Sequence, residues 1–362
     1  MKLDLRFPMS YTYVFDEDYF DQNESYVVDG VFTPNPKTFV CELKPLEPTA
    51  AVTMCVILTA IFLLAIPGNL LVGWVIGTSR KPLTPSDVYL FHLTVADGLM
   101  ALVLPFYAVS VVRGWLFGDF MCKLISLIFE ANFYTSIIFL ACISIDRYLV
   151  IVRASETLGS RQRMCSRLLC AAVWALGWAL ALPALFNDAF VLDKDTNRMI
   201  CSEQFDIGSA ILWRLTARGF LHVFGFLVPL TVMLSCYSVT IWRLLHTRGF
   251  QKHRAMRVIT AVVIAFLLCW TPYHITMVVD LLMRADLIQY GCAMRISVDI
   301  ASTVTKGLAL FHSCINPFLY AFVGEKFRKK MSLLLQRKRQ ERLSGSKFSR
   351  SSSQTSDGGA VF

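Results

Sequence analysis

The stretch FLACISIDRYLVIV, from Phe139 to Val152, is apolar except for two adjacent opposite charges, Asp146 and Arg147. A carboxylate beside a guanidinium can be a surface pair, part of a catalytic centre, or a charge switch where apolar chain meets water. A catalytic centre needs company: a nucleophile held by a base, a cluster of metal ligands, or a glycine loop that cradles phosphate. None accompanies the pair, and none of the 11 cysteines forms a CxxC spacing. The chain is therefore not read as an enzyme, and no catalytic residue or metal ligand is assigned. Two further charges lie deep in apolar sequence: Asp97 within LFHLTVADGLMALVLP, and Lys306 within VTKGLALF. An ionisable group at that depth points to function by default. Asn69, Ser136, Ser313 and Asn316, in other apolar runs, offer Asp97 polar partners.

The elements that must position these groups are helices across a membrane. The 362 residues are 55% hydrophobic and 17% charged, below the ~25% charged of a soluble domain. Ala51 to Thr78 carries no charge at all, and ~20 apolar residues cross the hydrocarbon core. Six more such runs follow: Val88–Val112, Phe120–Ile145, Leu168–Asn187, Gly219–Trp242, Val258–Val279 and Ile296–Val323. They are too continuously apolar for barrel strands, which alternate. The expected fold is an all-α membrane protein, a bundle of seven transmembrane helices with a short cytoplasmic amphipathic helix. Its expected parts are an outer acidic tail (1–50), the bundle (51–323), the amphipathic helix (324–340) and a disordered tail (341–362). Pro67, Pro105, Pro183, Pro229, Pro272 and Pro317 put a proline in most spans, and each permits a kink.

Lys and Arg set the orientation. They follow the first span (Arg80, Lys81) and the third (Arg153, Arg161, Arg163, Arg167), and fill the fifth connection (Arg243, Arg248, Lys252, Arg254, Arg257) and the segment from Lys326 to Arg342. That side is expected to be cytoplasmic and the N-terminus outside, with no cleavable leader. The net charge of +9 follows from this topology and from anionic membrane lipid, so no nucleic-acid partner is expected. The outer tail is acidic: Tyr11–Gly30 holds Asp16, Glu17, Asp18, Asp21, Glu24 and Asp29 and no basic residue.

An odd number of cysteines leaves at least one thiol free. Cys41, Cys122, Cys201 and Cys292 fall in outer positions, where disulfides form. Cys122 opens the third span, and Cys201 lies midway in the loop before the fifth. Cys41 and Cys292 precede the first and seventh spans, neighbours in a closed ring. The expected pairs are Cys122–Cys201 and Cys41–Cys292. Asn23-Glu24-Ser25 is a glycosylation sequon in the outer tail.

GNLLV, VAD, Cys122, DRYLVIV, Trp174, Pro229 with Tyr237, CWTPY and NPFLY occur in the order seen in rhodopsin-class G-protein-coupled receptors, which the chain resembles from about Ala50 to Arg339. WLFGDFMCK, ACISIDRYLVIV, QKHRAMRVI, LLCWTPY and HSCINPFLYAF narrow the resemblance to CXC chemokine receptors of the interleukin-8 type. The resemblance implies a plasma-membrane receptor that passes chemokine binding to an inhibitory-class heterotrimeric G protein in chemotaxis. It implies a switch made of Asp146, Arg147, Tyr148, Tyr237, Trp270, Asn316, Pro317 and Tyr320, in which Asp146 and Arg147 restrain the third and sixth spans. It also implies ligand contacts at Asp16, Glu17, Asp18, Tyr19, Asp21, Asp280 and Lys306, a polar core of Asn69, Asp97, Ser136 and Ser313 with a sodium ion near Asp97, and no other cofactor. Arrestin and receptor kinases are the implied partners of the Ser/Thr-rich tail, and Phe327, Met331, Leu334 and Leu335 lay an amphipathic helix on membrane lipid.

The departures from that family are specific. His92 stands where many relatives have Asn, and Val103 where chemokine receptors have Thr. Phe129 replaces a lysine of the close relatives, and Lys306 replaces their glutamate. Lys306 is expected to meet a carboxylate, either of the ligand or of Asp299, Asp280 or Glu130. Opsin-like chains place their retinal lysine about one turn deeper, at Leu310 here. A transporter or pump needs relayed charges, and a chemokine-scavenging receptor without G-protein signalling is the alternative that an intact DRYLVIV disfavours.

Overall fold

The computed structural model describes residues 46–78, 83–152, 160–193, 197–203, 210–246, 250–285, 287–288, 291–323, 331–333 and 336, with two short strand pairs near the N-terminus. Cys41, Asp16, Glu17, Asp18, Tyr19, Asp21 and Asn23 lie outside the described residues, as do the tail 341–362 and most of the expected amphipathic helix 324–340.

Seven rods follow the apolar runs: α1 (Pro48–Gly77), α2 (Pro85–Arg113), α3 (Gly118–Val152), α4 (Ser160–Leu180), α5 (Ala210–His222) continued through a π turn into α6 (Val228–Leu245), α7 (Phe250–Arg284) and α8 (Cys292–Val323). Six rods are long and apolar enough to cross a membrane. The seventh, α8, carries Asp299, Lys306, His312 and Asn316 and packs on α7 and α1, closing the ring. The helices overrun the apolar runs because polar residues continue them. Thr84 caps α2, with its side chain and that of Asp87 satisfying each other's backbone amides and Pro85 in the first turn, a capping box.

Pro67, Pro105, Pro272 and Pro317 lie inside helices. Pro183 does not kink its span. It sits in a 3-10 turn, Leu182–Phe186, after α4 has ended at Leu180. Pro229 follows the π turn Val223–Leu227, a local widening often found at functional positions.

The loop expected to hold Cys201 is an antiparallel hairpin. The tail pairs are β1 (Leu5–Arg6) with β2 (Thr12–Tyr13) and β3 (Val27–Val28) with β4 (Val31–Phe32); the hairpin is β5 (Asn187–Asp193) with β6 (Arg198–Glu203), Ala189 facing Cys201. Asn197 makes the turn at φ 50°, a conformation Asn tolerates. The Cys122–Cys201 disulfide pins β6 to α3. At Gly114, φ is 82° and a Cβ would stand 2.8 Å from Met199 O. That close approach lets Trp115 N donate to Met199 O at 2.8 Å, so the hairpin is tied to the end of α2 as well.

The core runs the length of the ring interior. Leu58, Leu93, Leu104, Ile137, Phe266 and Leu310 are all buried within it. Where α1 crosses α8, a Cβ on Gly68 would stand 2.9 Å from Cβ and 3.1 Å from Cγ of Pro317, a rigid ring. Gly68→Val is expected to force the two helices apart at a cost of ~1–3 kcal/mol and to lower the melting temperature of the purified protein. An unchanged melting temperature would show that this crossing tolerates a wider spacing.

Candidate functional site

At the hairpin end the rods enclose a cavity of about 650 Å³ lined by α2, α3, α8 and β6. Tyr107, Phe129, Arg198, Arg295, Asp299 and Lys306 are among its walls. Tyr107 is held by its hydroxyl, which donates to Thr303 O at 2.9 Å. The Lys306 ammonium lies over two rings, 4.7 Å from the Phe129 centroid and 5.1 Å from that of Tyr107, both within cation–π range.

Beside the cavity stands a charge cluster. Asp280, buried, takes Arg218, Arg284 at 3.0 Å and Arg295 at 2.5 Å. Arg295 also reaches Asp299 at 3.0 Å, and Arg218 reaches Glu203 at 3.4 Å. A carboxylate taken out of water needs such partners. The cluster joins α5, α7, α8 and β6. Lys123 pairs with Asp188 and with Asp119, holding β5 to α3.

Below the cavity floor the polar groups are buried. Trp270, fully buried, packs 4.3 Å from the Phe133 centroid and 5.8 Å from those of Phe266 and His312. His222 Nδ1 and His274 Nδ1 stand 2.9 Å apart, so one ring donates and the other accepts. This joins the end of α5, next to the π turn, to α7. Asp97 accepts from Asn316 Nδ2 at 2.6 Å and from Ser136 Oγ at 3.3 Å, and His312 Nε2 stands 3.1 Å from its other side. Asn69 donates to Ala65 O and to Ser313 O. Ser313 Oγ donates within its own helix to Leu310 O.

At the far end of α3, Asp146 accepts from Ser86 Oγ of α2 and pairs with Arg147 at 3.4 Å. Tyr237 of α6 is buried there, and Tyr148 is half-buried.

Residues 68–320 match the family 7 transmembrane receptor (rhodopsin family). C-X-C chemokine receptor type 2 of Homo sapiens is 44% identical over 294 residues, 80% of this chain and 81% of that receptor. C-X-C chemokine receptor type 1 of Oryctolagus cuniculus is 46% identical over 274 residues, 75% of this chain and 76% of that receptor. Type 1 of Homo sapiens is 46% identical over 269 residues, covering 74% and 76%. The chain belongs to the C-X-C chemokine receptors of the rhodopsin family. It is a multi-pass membrane receptor and not an enzyme.

The receptor brings together some of the residues that sequence singled out and separates others. Asp97, Ser136 and Asn316 meet as expected. Asn69 and Ser313 do not reach Asp97; they tie α1 to α8 one layer away. His312 Nε2 stands 3.1 Å from Asp97 instead. It lies four residues before Asn316 on α8, hence on the same helix face, and that spacing could have revealed it. Asp146 accepts from Ser86 of α2; the side chains at 250–259 of α7, where the expected restraint between the third and sixth spans would lie, and that of Tyr320 are outside the described residues. His92 accepts from Trp174 Nε1 at 3.2 Å, so it does the work expected of an Asn. Asp280 and Asp299 are engaged by arginines and form no ion pair with Lys306. Cys292 is disulfide-bonded, while its expected partner Cys41 lies outside the described residues.

Sequence reasoning overlooked the His222–His274 bond, since two histidines 52 positions apart carry no spacing signal. Replacing either ring strands the other's Nδ1 in an apolar site, at ~1–3 kcal/mol. His222→Leu and His274→Leu should each lower the melting temperature of the purified receptor, and the double variant should lose little more than one of them. Simple additivity would mean that the two rings do not act as a pair.

Proposed function

We propose that the receptor binds a C-X-C chemokine of the interleukin-8 kind at the hairpin end and activates an inhibitory-class heterotrimeric G protein at the Arg147 end. It works in the plasma membrane with its N-terminus outside. The observation that carries this reading is the pairing of two sites in one relative of the C-X-C receptors: a polar cavity at one end, and an intact Asp146–Arg147 pair bonded to Ser86 at the other. Lys and Arg gather beyond the Arg147 end of the helices, as cytoplasmic loops do. The path between the ends runs through groups that have little freedom. A ligand that moves Phe129 moves Trp270, whose ring lies 6.1 Å from it, and Trp270 is set on α7. A shift of α7 against α3 would uncover Arg147 and Tyr237 for the G protein. Ser and Thr in 344–357 offer sites for receptor kinases, and phosphate there would suit the basic surface of an arrestin.

A panel of C-X-C chemokines applied to cells expressing the chain should include at least one that activates an inhibitory-class G protein. Arg147→Ala should keep chemokine binding and lose that activation, because Arg147 is at the opposite end from the cavity. Binding without activation by the unaltered chain would instead point to a scavenging receptor, and absence of any binding across the panel would end the chemokine reading.

The acidic tail is proposed to capture ligand first, with Asp16, Glu17, Asp18 and Asp21 around Tyr19, which is the sulfation candidate. Opposite charge raises association rates and salt screens it. Deleting residues 11–30 should therefore slow chemokine association more at low than at high ionic strength. Equal loss at both would argue for contact rather than steering.

A further inference from the structure

Four cations and one carboxylate line the cavity: Arg113, Arg198, Arg295 and Lys306 against Asp299. Asp299 is already bonded to Arg295, and Arg295 also to Asp280. Arg198 spends an Nη2–H on Val111 O at 3.1 Å. Lys306 forms no ion pair among the described residues. Its ammonium rests on the faces of Phe129 and Tyr107, and the Tyr107 ring is fixed by its bond to Thr303 O. Ring faces attract a cation without neutralising it. Asp280 and Asp299, the carboxylates of α7 and α8, are held by arginine, while Glu130 of α3 and Glu203 of β6 act on the ammonium electrostatically without forming an ion pair with it.

A half-buried ammonium that forms no ion pair is costly unless water or a ligand completes it. The rings hold it in place at the cavity wall, so little side-chain order is lost when an anion arrives. We propose that Lys306, seated on Phe129 and Tyr107, is the anchor of an anion subsite in this cavity and takes a carboxylate of the protein ligand, an Asp or Glu side chain or a chain terminus. At this point of the cavity wall the receptor presents a cation to the ligand. The proposal rests on the chemokine reading for the source of the carboxylate, but not for the subsite itself.

The test has two arms. In the first, the C-X-C chemokine that activates the receptor is used with its own Asp→Asn and Glu→Gln variants, at matched surface expression. Lys306→Met should lower potency by at least ~tenfold, and Lys306→Arg, which keeps the charge, should restore most of it. One neutralised ligand variant should lose potency on the unaltered receptor and lose nothing further on Lys306→Met. In the second arm, purified receptor is melted with N-acetylglutamate and, as the uncharged control, N-acetylglutamine. The glutamate compound should raise the melting temperature of the unaltered receptor but not of Lys306→Met. Unchanged chemokine potency in Lys306→Met, or equal loss from every ligand variant on both receptors, would overturn the ligand-carboxylate assignment. Equal melting shifts from the two compounds would overturn the anion subsite. If no chemokine activates the unaltered chain, the functional reading fails while the melting arm still decides the subsite.

Discussion

Asp97 is a fully buried carboxylate within the apolar span α2. A charge in such a place must be met by donors or given up. Two donors from other helices meet it, Ser136 from α3 and Asn316 from α8, and His312 of α8 stands 3.1 Å away. The register of α2, α3 and α8 is thereby fixed, since a one-residue slip of a helix turns its side chain by about 100° and would leave the carboxylate alone. Asn69 adds α1 by donating to the Ser313 carbonyl of α8. Pro317 removes an intrahelical bond one residue after Asn316, and Gly68 lets α1 come close to its ring. The helix crossing, the kink and the polar core are one arrangement.

The remaining buried polar contacts sort by the helices they join. Asp146–Ser86 ties α3 to α2 at one end, and Trp174–His92 ties α4 to α2. His222–His274 and the Asp280 arginines tie α5 to α7. Among the described side chains, the contact between α3 and α7 is carried by rings instead: Phe129 and Phe133 against Trp270. Rings slide past one another at little cost, whereas a buried ion pair resists separation. The interface best suited to move is therefore the one between α3 and α7, and both proposed ends of the signalling path border it.

The helices were legible because an uncharged run such as Ala51 to Thr78 has few other solutions. Asp97, Asn316 and Ser136 were legible for a related reason, since a polar group in such a run must find a partner, and the Cys122–Cys201 bond was legible because both cysteines fall on the outer side. The hairpin was not. Its residues, Asn187 to Glu203, are held by the disulfide, by Lys123 on Asp188 and by the Gly114 turn, and none of these constraints is local to the strands. The early end of α4 was missed because Ala181 and Leu182 continue the apolar run, while Pro183 lacks the amide that would continue the ladder. The Asp280 cluster was missed for a third reason. Its carboxylates, Asp280 and Asp299, were assigned to the ligand or to Lys306, and only the closed ring brings Arg218, Arg284 and Arg295 to one carboxylate.

That cluster explains why Lys306 stands apart. A lysine introduced into a wall of carboxylates would pair with the nearest and become structural. Here the carboxylates within the α7–α8 region are already committed to guanidinium groups, which are planar, always charged and suited to holding a carboxylate at two points. A lysine, a single charge on a flexible stem, competes poorly for them. The two aromatic faces then offer the ammonium the best remaining position. Phe129 is essential to this, because a lysine at that place on α3 would set two ammonium groups against each other. The resting place of Lys306 on α8 therefore depends on the ring that faces it from α3.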